Sequence, residues 1–271
     1  VMPSSSIQSG TYFFNAVAEW DGKEYREGYG EISYPHINPH HLYRDAVSEV
    51  KVFEVEIAEG LNVGYIVGAG DGIPASLAQL GVEVHLLDTN ELSSGDLEAY
   101  DVIISGIRAY AVREDLVAFN HRLLEYVRNG GTYIVQYNQY VFNRTQFSPY
   151  PAQISRPHDR VTREDAPVEI LEPNHPVFNV PNKISKKDFD GWVQERGLYF
   201  FGEWDDRYIP LMTSQDPGEE PKPGGLVEAR YGEGFYIYTG YAWFRQLPAG
   251  VPGAYRIFSN LLSLPKNRKL P

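Results

Sequence analysis

Between residues 62 and 138 the chain repeats one pattern: a short apolar run rich in β-branched residues, a Gly or Asp stop, then a stretch with helical spacing. NVGYIVGAG reads as a buried strand, GIPASLAQLG as a short helix closed by Gly81, and VEVHLLD as a second strand. DVIISG, residues 101–106, is a third. The run EDLVAFNHRLLEYVRN, residues 114–129, then sets Leu116, Phe119, Leu123, Tyr126 and Val127 on one helical stripe and stops at Gly130-Gly131. GGTYIVQYN follows as a fourth strand that delivers Gln136, Tyr137 and Asn138 to its end. Strands alternating with helices imply parallel pairing through crossovers, and hence an α/β fold: an open, doubly wound, mainly parallel sheet with its site at the carboxyl ends of the strands. GLVEARYGEGFYIYTGYAW adds a hairpin turning at residues 231–234, and YRIFSNLLS, residues 255–263, an amphipathic closing helix. Four such units and a hairpin are too few to close a barrel, so five or more strands in an open sheet are expected.

The flanking segments read differently. Residues 10–57 alternate as short strands, with a hairpin signal at Asp21-Gly22, a loop at HINPHHLYRD and a further strand at VKVFEVEI, residues 50–57. Residues 1–57 therefore form an N-terminal β-strand extension or the remnant of a β-sandwich, residues 58–265 the α/β domain, and residues 266–271 a frayed tail. The stretch 140–225, rich in Pro, Asp, Arg and aromatics, reads as long loops with short helices roofing a site.

Composition removes several functions. With no Cys among 271 residues there is no disulfide, thiolate metal site or cysteine nucleophile, and the compartment stays open. A formal charge of −12 argues against nucleic acid as a partner, because phosphate binding needs a concentrated positive surface. No apolar run approaches the roughly 20 residues that span a bilayer, and VMPSSSIQSG carries no targeting signal, so no membrane partner is expected.

The motifs are weak as catalytic devices. Gly68-Ala69-Gly70-Asp71-Gly72 follows a strand and precedes a helix, but Pro74 and Ala75 break the dinucleotide spacing, leaving a tight turn with Asp71 near the helix start and no cofactor. His36, His40 and His41 cluster in a proline-rich loop without carboxylates at ligand spacing, and PHDR at 157–160 lacks a second half, so no metal is expected. There is no G-x-S-x-G elbow. Two segments set carboxylates beside tryptophans: DFDGWVQERG carries Asp190, Trp192, Glu195 and Arg196, and GEWDDRY carries Trp204 and Asp205. Rings that stack on pyranose faces beside acids that bond hydroxyls suit carbohydrate, as does a chain with 20 Tyr and 14% aromatic residues.

The order of these segments, with NHPVFN and RYGEGFYIYTGYAWF, resembles the class I glutamine amidotransferase-like, flavodoxin-like fold and its ThuA-like branch. GAGDGIPASLAQLG, YDVIISGIRAY, KDFDGWVQERGLYF and RQLPAGVPGAYRIFSNLL resemble more closely the C-terminal region of long bacterial PIG-L (LmbE-like) deacetylases, over about residues 10 to 265. In amidotransferases the strand that GGTYIVQYN resembles ends in a cysteine elbow; here Gln136, Tyr137 and Asn138 stand there, which rules out thiolate chemistry. The deacetylase zinc motif, His-Pro-x-Asp-Asp, is also missing. The resemblance thus implies a non-catalytic accessory domain of an N-acetylglucosaminyl deacetylase that binds carbohydrate or docks the catalytic domain of the same parent chain. An exported, periplasmic or extracellular parent is compatible with it. The rival readings are a sugar-active hydrolase or isomerase of ThuA-like type using Asp190, Glu195 or Asp205, and a purely structural interaction module.

Topology places a ligand at the carboxyl edge of the sheet. Arg108 and Tyr110 follow the third strand, and Gln136 and Asn138 end the fourth. Loops 188–208 and 241–246 are expected to bring Asp190, Trp192, Glu195, Arg196, Trp204, Trp243, Arg245 and Gln246 over the same crevice.

Overall fold

A computed structural model describes residues 7–267 of the chain, which divides into two compact units, Val1–Glu54 and Val55–Pro271. The first six residues and residues 268–271 of the expected tail 266–271 lie outside the described residues, while residues 266 and 267 close a short helical turn, Leu264–Asn267.

Among its described residues the regular structure of the first unit is all β: β1 (Gly10–Asn15), β2 (Ala18–Trp20), β3 (Lys23–Tyr25), β4 (Glu27–Ile32), β5 (His40–Asp45) and β6 (Val47–Val52). β1 pairs antiparallel with β6 and β4 with β5, and the bonds Ala16 N to Ala46 O (2.8 Å) and Ala46 N to Arg26 O (2.7 Å) tie the ladders where they meet. β2 and β3 form the hairpin expected at Asp21-Gly22, both with positive φ (51° and 68°), as a two-residue turn requires. Two expectations are corrected. HHLYRD is strand rather than loop, because it finds cross-strand partners in EGYGEI: Tyr43 stands opposite Tyr29, and His41 lies 3.3 Å from Glu31. The strand expected to run to residue 57 stops at Val52, since further on the N–H groups of Glu56 and Ala58 are taken by Asn182 Oδ1 (2.9 Å) and Ser263 Oγ (3.0 Å) instead of by a ladder. Among the described residues of this unit all but Ala46, Val52 and Phe53 are exposed.

The second unit carries the α/β domain: β7 (Asn62–Ile66), α1 (Ile73–Gln79), β8 (Glu83–Leu86), α2 (Thr89–Ser94), β9 (Val102–Ser105), α3 (Ala109–Val112), α4 (Glu114–Arg128) and β10 (Thr132–Gln136). There follow β11 (Ala152–Val161), β12 (Val168–Ile170), β13 (Gly197–Trp204), β14 (Tyr208–Pro210), β15 (Met212–Ser214), β16 (Leu226–Tyr231), β17 (Gly234–Thr239), α5 (Trp243–Gln246) and α6 (Pro252–Ser263). The central sheet has seven strands in the order β14-β16-β17-β10-β9-β7-β8. The neighbours from β17 to β8 pair in parallel, while β16 runs antiparallel to both β17 and β14.

Both faces of this sheet are buried. Ile66, Ile103, Tyr133, Val135, Tyr236 and Tyr238 join a core with Leu92 of α2 and Leu116, Leu123, Tyr126 and Val127 of α4. The alternate set, Val63, Tyr65, Ile104, Ile134 and Ile237, is equally shut off from water. α4 takes Glu114 and Asp115 in its first turn and Arg128 in its last, complementing its dipole. α2, which the sequence reading missed, rests on a capping box in which Asp88 accepts from Asn90 N and Glu91 N while Glu91 bonds Asp88 N.

The stretch 140–225 departs from the loop expectation. β11 pairs with β13 across several register shifts, and β12 with β15, so that PHDR lies within a strand. Pro157 falls where the β11 register shifts, and the pairing partners lie some 40 residues away in sequence. α6 also differs: it starts at Pro252 and is buried almost all round, so it is a core helix rather than an amphipathic cover.

Candidate functional site

β7, β9, β10 and β17 all end on one edge, and each strand end is shaped by the next. After β7 the turn Gly68–Gly72 docks on the chain beyond β9: Ala69 N bonds Ile107 O at 2.8 Å, and a Cβ on Gly68 would stand 2.0 Å from that oxygen. Asp71 turns inward, accepting from the Tyr65 hydroxyl and, two residues on, from Ile73 N (3.0 Å), which fixes the turn before α1. The turn is a docking piece in this arrangement.

After β9, Arg108 takes a left-handed backbone, φ 56°, and donates its N–H to Tyr137 O at 3.1 Å. After β10, Tyr137 is also left-handed, φ 40°, and donates its own N–H to Thr239 O at 2.7 Å. A bulky residue at positive φ is uncommon and marks a position that its surroundings enforce. Here the neighbouring strand ends supply that enforcement. The Tyr137 ring packs in a small cluster with Ile107 and Ala242, edge-on to Phe244 (5.0 Å) and Tyr199 (5.5 Å). Its hydroxyl donates to Glu195 Oε1 at 3.1 Å, and Arg245 Nε donates to the same oxygen at 3.0 Å. Burial first, then the Glu195 carboxylate, pushes the phenol well above its ordinary range, against the charges of Arg245 and Arg108. Tyr137 is therefore a hydrogen-bond donor at neutral pH.

Further out, Tyr199 (φ 62°) meets Tyr140 at 6.0 Å and His158 at 5.4 Å. Tyr140 is hydrogen-bonded to His158 Nδ1 at 2.9 Å and lies under the Arg156 guanidinium at 4.5 Å. Phe244, Tyr199 and Tyr140 are half-buried and His158 and Arg156 exposed, so this part of the edge presents aromatic surface to solvent.

The twelve residues expected at the site separate into three groups. Arg108, Glu195 and Arg245 meet at the Tyr137 edge. Six others are buried and occupied. Tyr110 bonds Asn120 (2.6 Å) and Tyr133 (3.0 Å), and Gln136 reaches Tyr65 (3.4 Å). Asn138 holds Gln136 O (3.0 Å), and Trp243 Nε1 bonds Thr239 Oγ1 (2.8 Å). Trp192 Nε1 bonds Asp188 O (3.2 Å), and Gln246 clamps the 193–195 loop through Val193 N, Val193 O and Glu195 O. Arg196 belongs with them: it is 3% exposed, donates to Ala166 O and Phe189 O, lies 5.0 Å over Trp192, and is lowered to about 10 by burial. The last two stand apart. Asp190 is exposed after the turn Lys186–Phe189, and Trp204 ends β13 at the far end from Gly197, roughly 20 Å away at 3.3 Å per residue. Asp205 lies beyond it, paired with Arg207 at 2.6 Å, so Glu195 and Asp205 are no close carboxylate pair.

Sequence reasoning missed Tyr137 as a site residue, along with Phe244, Tyr199, Tyr140, His158 and Arg156. Only Tyr137 carried a signal, its place at the strand end between two polar residues. A separate cleft of about 770 Å³ opens beyond β8, lined by Val67, Leu86, Asp88, Thr89, Arg113 and Asp115. Its polar groups are mutually engaged: Arg113 grips Asp115 at 2.8 and 2.7 Å, and Thr89 bonds Asp115 at 2.8 Å.

The second unit is thus an α/β domain built on a mostly parallel seven-stranded sheet with an aromatic and arginine-bearing carboxyl edge. No protein-family profile matches the chain, and no curated protein sequence does. Among solved structures it is similar to two cytoplasmic proteins of Salmonella typhimurium. The first is 14% identical, over 94% of this chain and 95% of that one, with a TM-score of 0.48. The second is 11% identical, over 93% and 95%, with a TM-score of 0.49. A β-galactosidase from Rahnella sp. R3 is similar over 80% of this chain but 32% of its own length, at 17% identity and a TM-score of 0.43. At these scores none of the three assigns a family or an activity.

Proposed function

We propose that the second unit is a non-catalytic, glutamine amidotransferase-like accessory domain of a PIG-L/LmbE-like deacetylase, and that its carboxyl edge binds carbohydrate. The order β8-β7-β9-β10-β17 supports the fold reading, because in chain order those parallel strands run 2-1-3-4-5, the flavodoxin-like arrangement. The observation that carries the function is the residue at the elbow. Tyr137 keeps the positive φ of a strand-end elbow, yet presents a phenol that is buried, protonated and bonded to an already paired Glu195. A group held in that way orients and donates; it does not attack. Around it, half-buried rings with a few fixed polar groups are what a sugar site needs. The Glu195–Arg245 and Asp205–Arg207 pairs favour binding over acid–base hydrolysis.

A glycan array on the 271-residue chain, followed by calorimetry on the best ligand, tests the reading. Tyr140→Ala and Phe244→Ala should each weaken binding by about 1–3 kcal/mol. An array without ligands would leave the edge as a docking surface for the deacetylase domain or as packing alone, and the carbohydrate reading would be abandoned.

A further inference from the structure

Arg108 is out of balance with its surroundings. Its Nε is shut off from solvent and has no hydrogen-bond acceptor, and among the described residues its guanidinium makes no ion pair. A buried unpaired N–H on a charged group is costly, and such groups in folded proteins have a partner. The carboxylate on the same edge is not that partner: Glu195 accepts from Tyr137 and Arg245, both through Oε1, and makes no ion pair with Arg108. Nor is Arg108 free to swing away as a whole: its left-handed backbone is fixed by its N–H on Tyr137 O and by Ala111 N on its own carbonyl (2.9 Å). In a chain of net charge −12, a cation left without its acid at a strand end where ligands bind is a conspicuous placement.

We propose that Arg108 takes the acidic group of an anionic sugar, a uronate carboxylate or a sugar phosphate. This rests on the carbohydrate reading above and specifies its ligand class. A guanidinium also offers two parallel terminal N–H groups, which match two oxygens of a carboxylate or phosphate, and Arg108 is only half-buried, so an anion would meet its terminal nitrogens rather than the covered Nε. The Tyr137 hydroxyl lies within reach of the Arg108 charge, and the Phe244 and Tyr199 rings pack on Tyr137, so the acid and the sugar ring would be read by adjoining groups. The charge of Glu195 is offset by its pair with Arg245, so it repels an incoming anion less than a free carboxylate would.

Calorimetry with matched pairs decides it: galacturonate against galactose and glucose 6-phosphate against glucose, on the wild-type chain, Arg108→Gln and Arg108→Lys, at low and high salt. One acidic member should bind about tenfold tighter than its neutral partner, with the margin shrinking in salt. Which pair shows the margin tells carboxylate from phosphate. Arg108→Gln should erase it while leaving the unfolding midpoint in place. If Arg108→Gln does not fold, Arg108→Lys, which loses the paired N–H groups, must lower the margin by about threefold or more. Neutral and acidic sugars binding alike, or a margin untouched by both variants, overturns the proposal and leaves the carbohydrate reading intact. No binding by either kind removes both.

Discussion

At the scale of single residues, the carboxyl edge depends on positions where the backbone approaches another strand end too closely for a side chain. Gly68 is the sharpest case, with an added Cβ 2.0 Å from the Ile107 carbonyl oxygen and 2.8 Å from its carbon. Backbone cannot yield as a flexible side chain does, so the turn and the segment 106–108 would have to separate. Gly68→Ala should therefore cost about 2–3 kcal/mol of stability, read as a lower urea midpoint with an unchanged slope. A substitution within experimental error of wild type would show that the two strand ends are not held together as described. The requirement was half legible in the sequence: GAGDG announced a tight turn, but its partner Ile107 lies 39 residues on.

At the scale of elements, the interest lies in how irregular chain is fixed to regular chain. α6 carries Asn260, whose amide donates to Val177 O and Asn182 O (both 2.7 Å) and whose carbonyl accepts from Asn182 N (2.9 Å) and Asn182 Nδ2 (2.9 Å). Asn182 in turn holds both backbone groups of Glu56, at 2.9 and 2.7 Å. Two buried amides thus order three segments that have no ladder of their own. Asn260→Leu, close in volume, strips these partners while leaving backbone groups buried, and should cost about 3 kcal/mol or more. Chemical denaturation measures the loss, and a loss below about 1 kcal/mol would mean the network is dispensable. The sequence reading took residues 255–263 as an amphipathic closing helix, yet Ser259, Asn260 and Ser263 are buried. They are polar because they bond buried backbone, a distinction that periodicity cannot draw.

At the scale of the whole molecule, the interior is unusually phenolic. Tyr65, Tyr110 and Tyr236 are raised well above the ordinary phenol range, burial being the main cause in each, and Tyr208 is pushed up to about 12 by burial. A group whose folded pKa exceeds its unfolded value adds stability that is fully present below the unfolded value, near 10, and is lost as pH rises through the folded one. The chain should therefore resist alkali up to about pH 10 and then unfold cooperatively, the buried phenols ionising in the same step. Phenolate absorbance and far-ultraviolet dichroism followed on one sample test this. Full ionisation of all 20 Tyr with the helical signal intact would contradict it.

What the sequence by itself determined was the succession of strands and helices from residue 62 to 138, apart from the short α2 and α3, together with the late hairpin and the open, mainly parallel sheet. These rest on local periodicity, stop residues and connection lengths, all of which are written along the chain. It also determined that no cysteine chemistry occurs at the elbow. Tertiary structure alone decided which polar and aromatic side chains are free. Trp192, Arg196, Trp243 and Gln246 have the composition of a binding site but spend their donors inside the fold, Trp192, Arg196 and Gln246 on backbone carbonyls and Trp243 on the Thr239 hydroxyl, whereas Arg108 is left over. It likewise turned residues 152–161 into a strand, because β13, its partner, begins 36 residues further on. In each case the deciding neighbour is distant in sequence, and its identity depends on how the sheet brings the strand ends together.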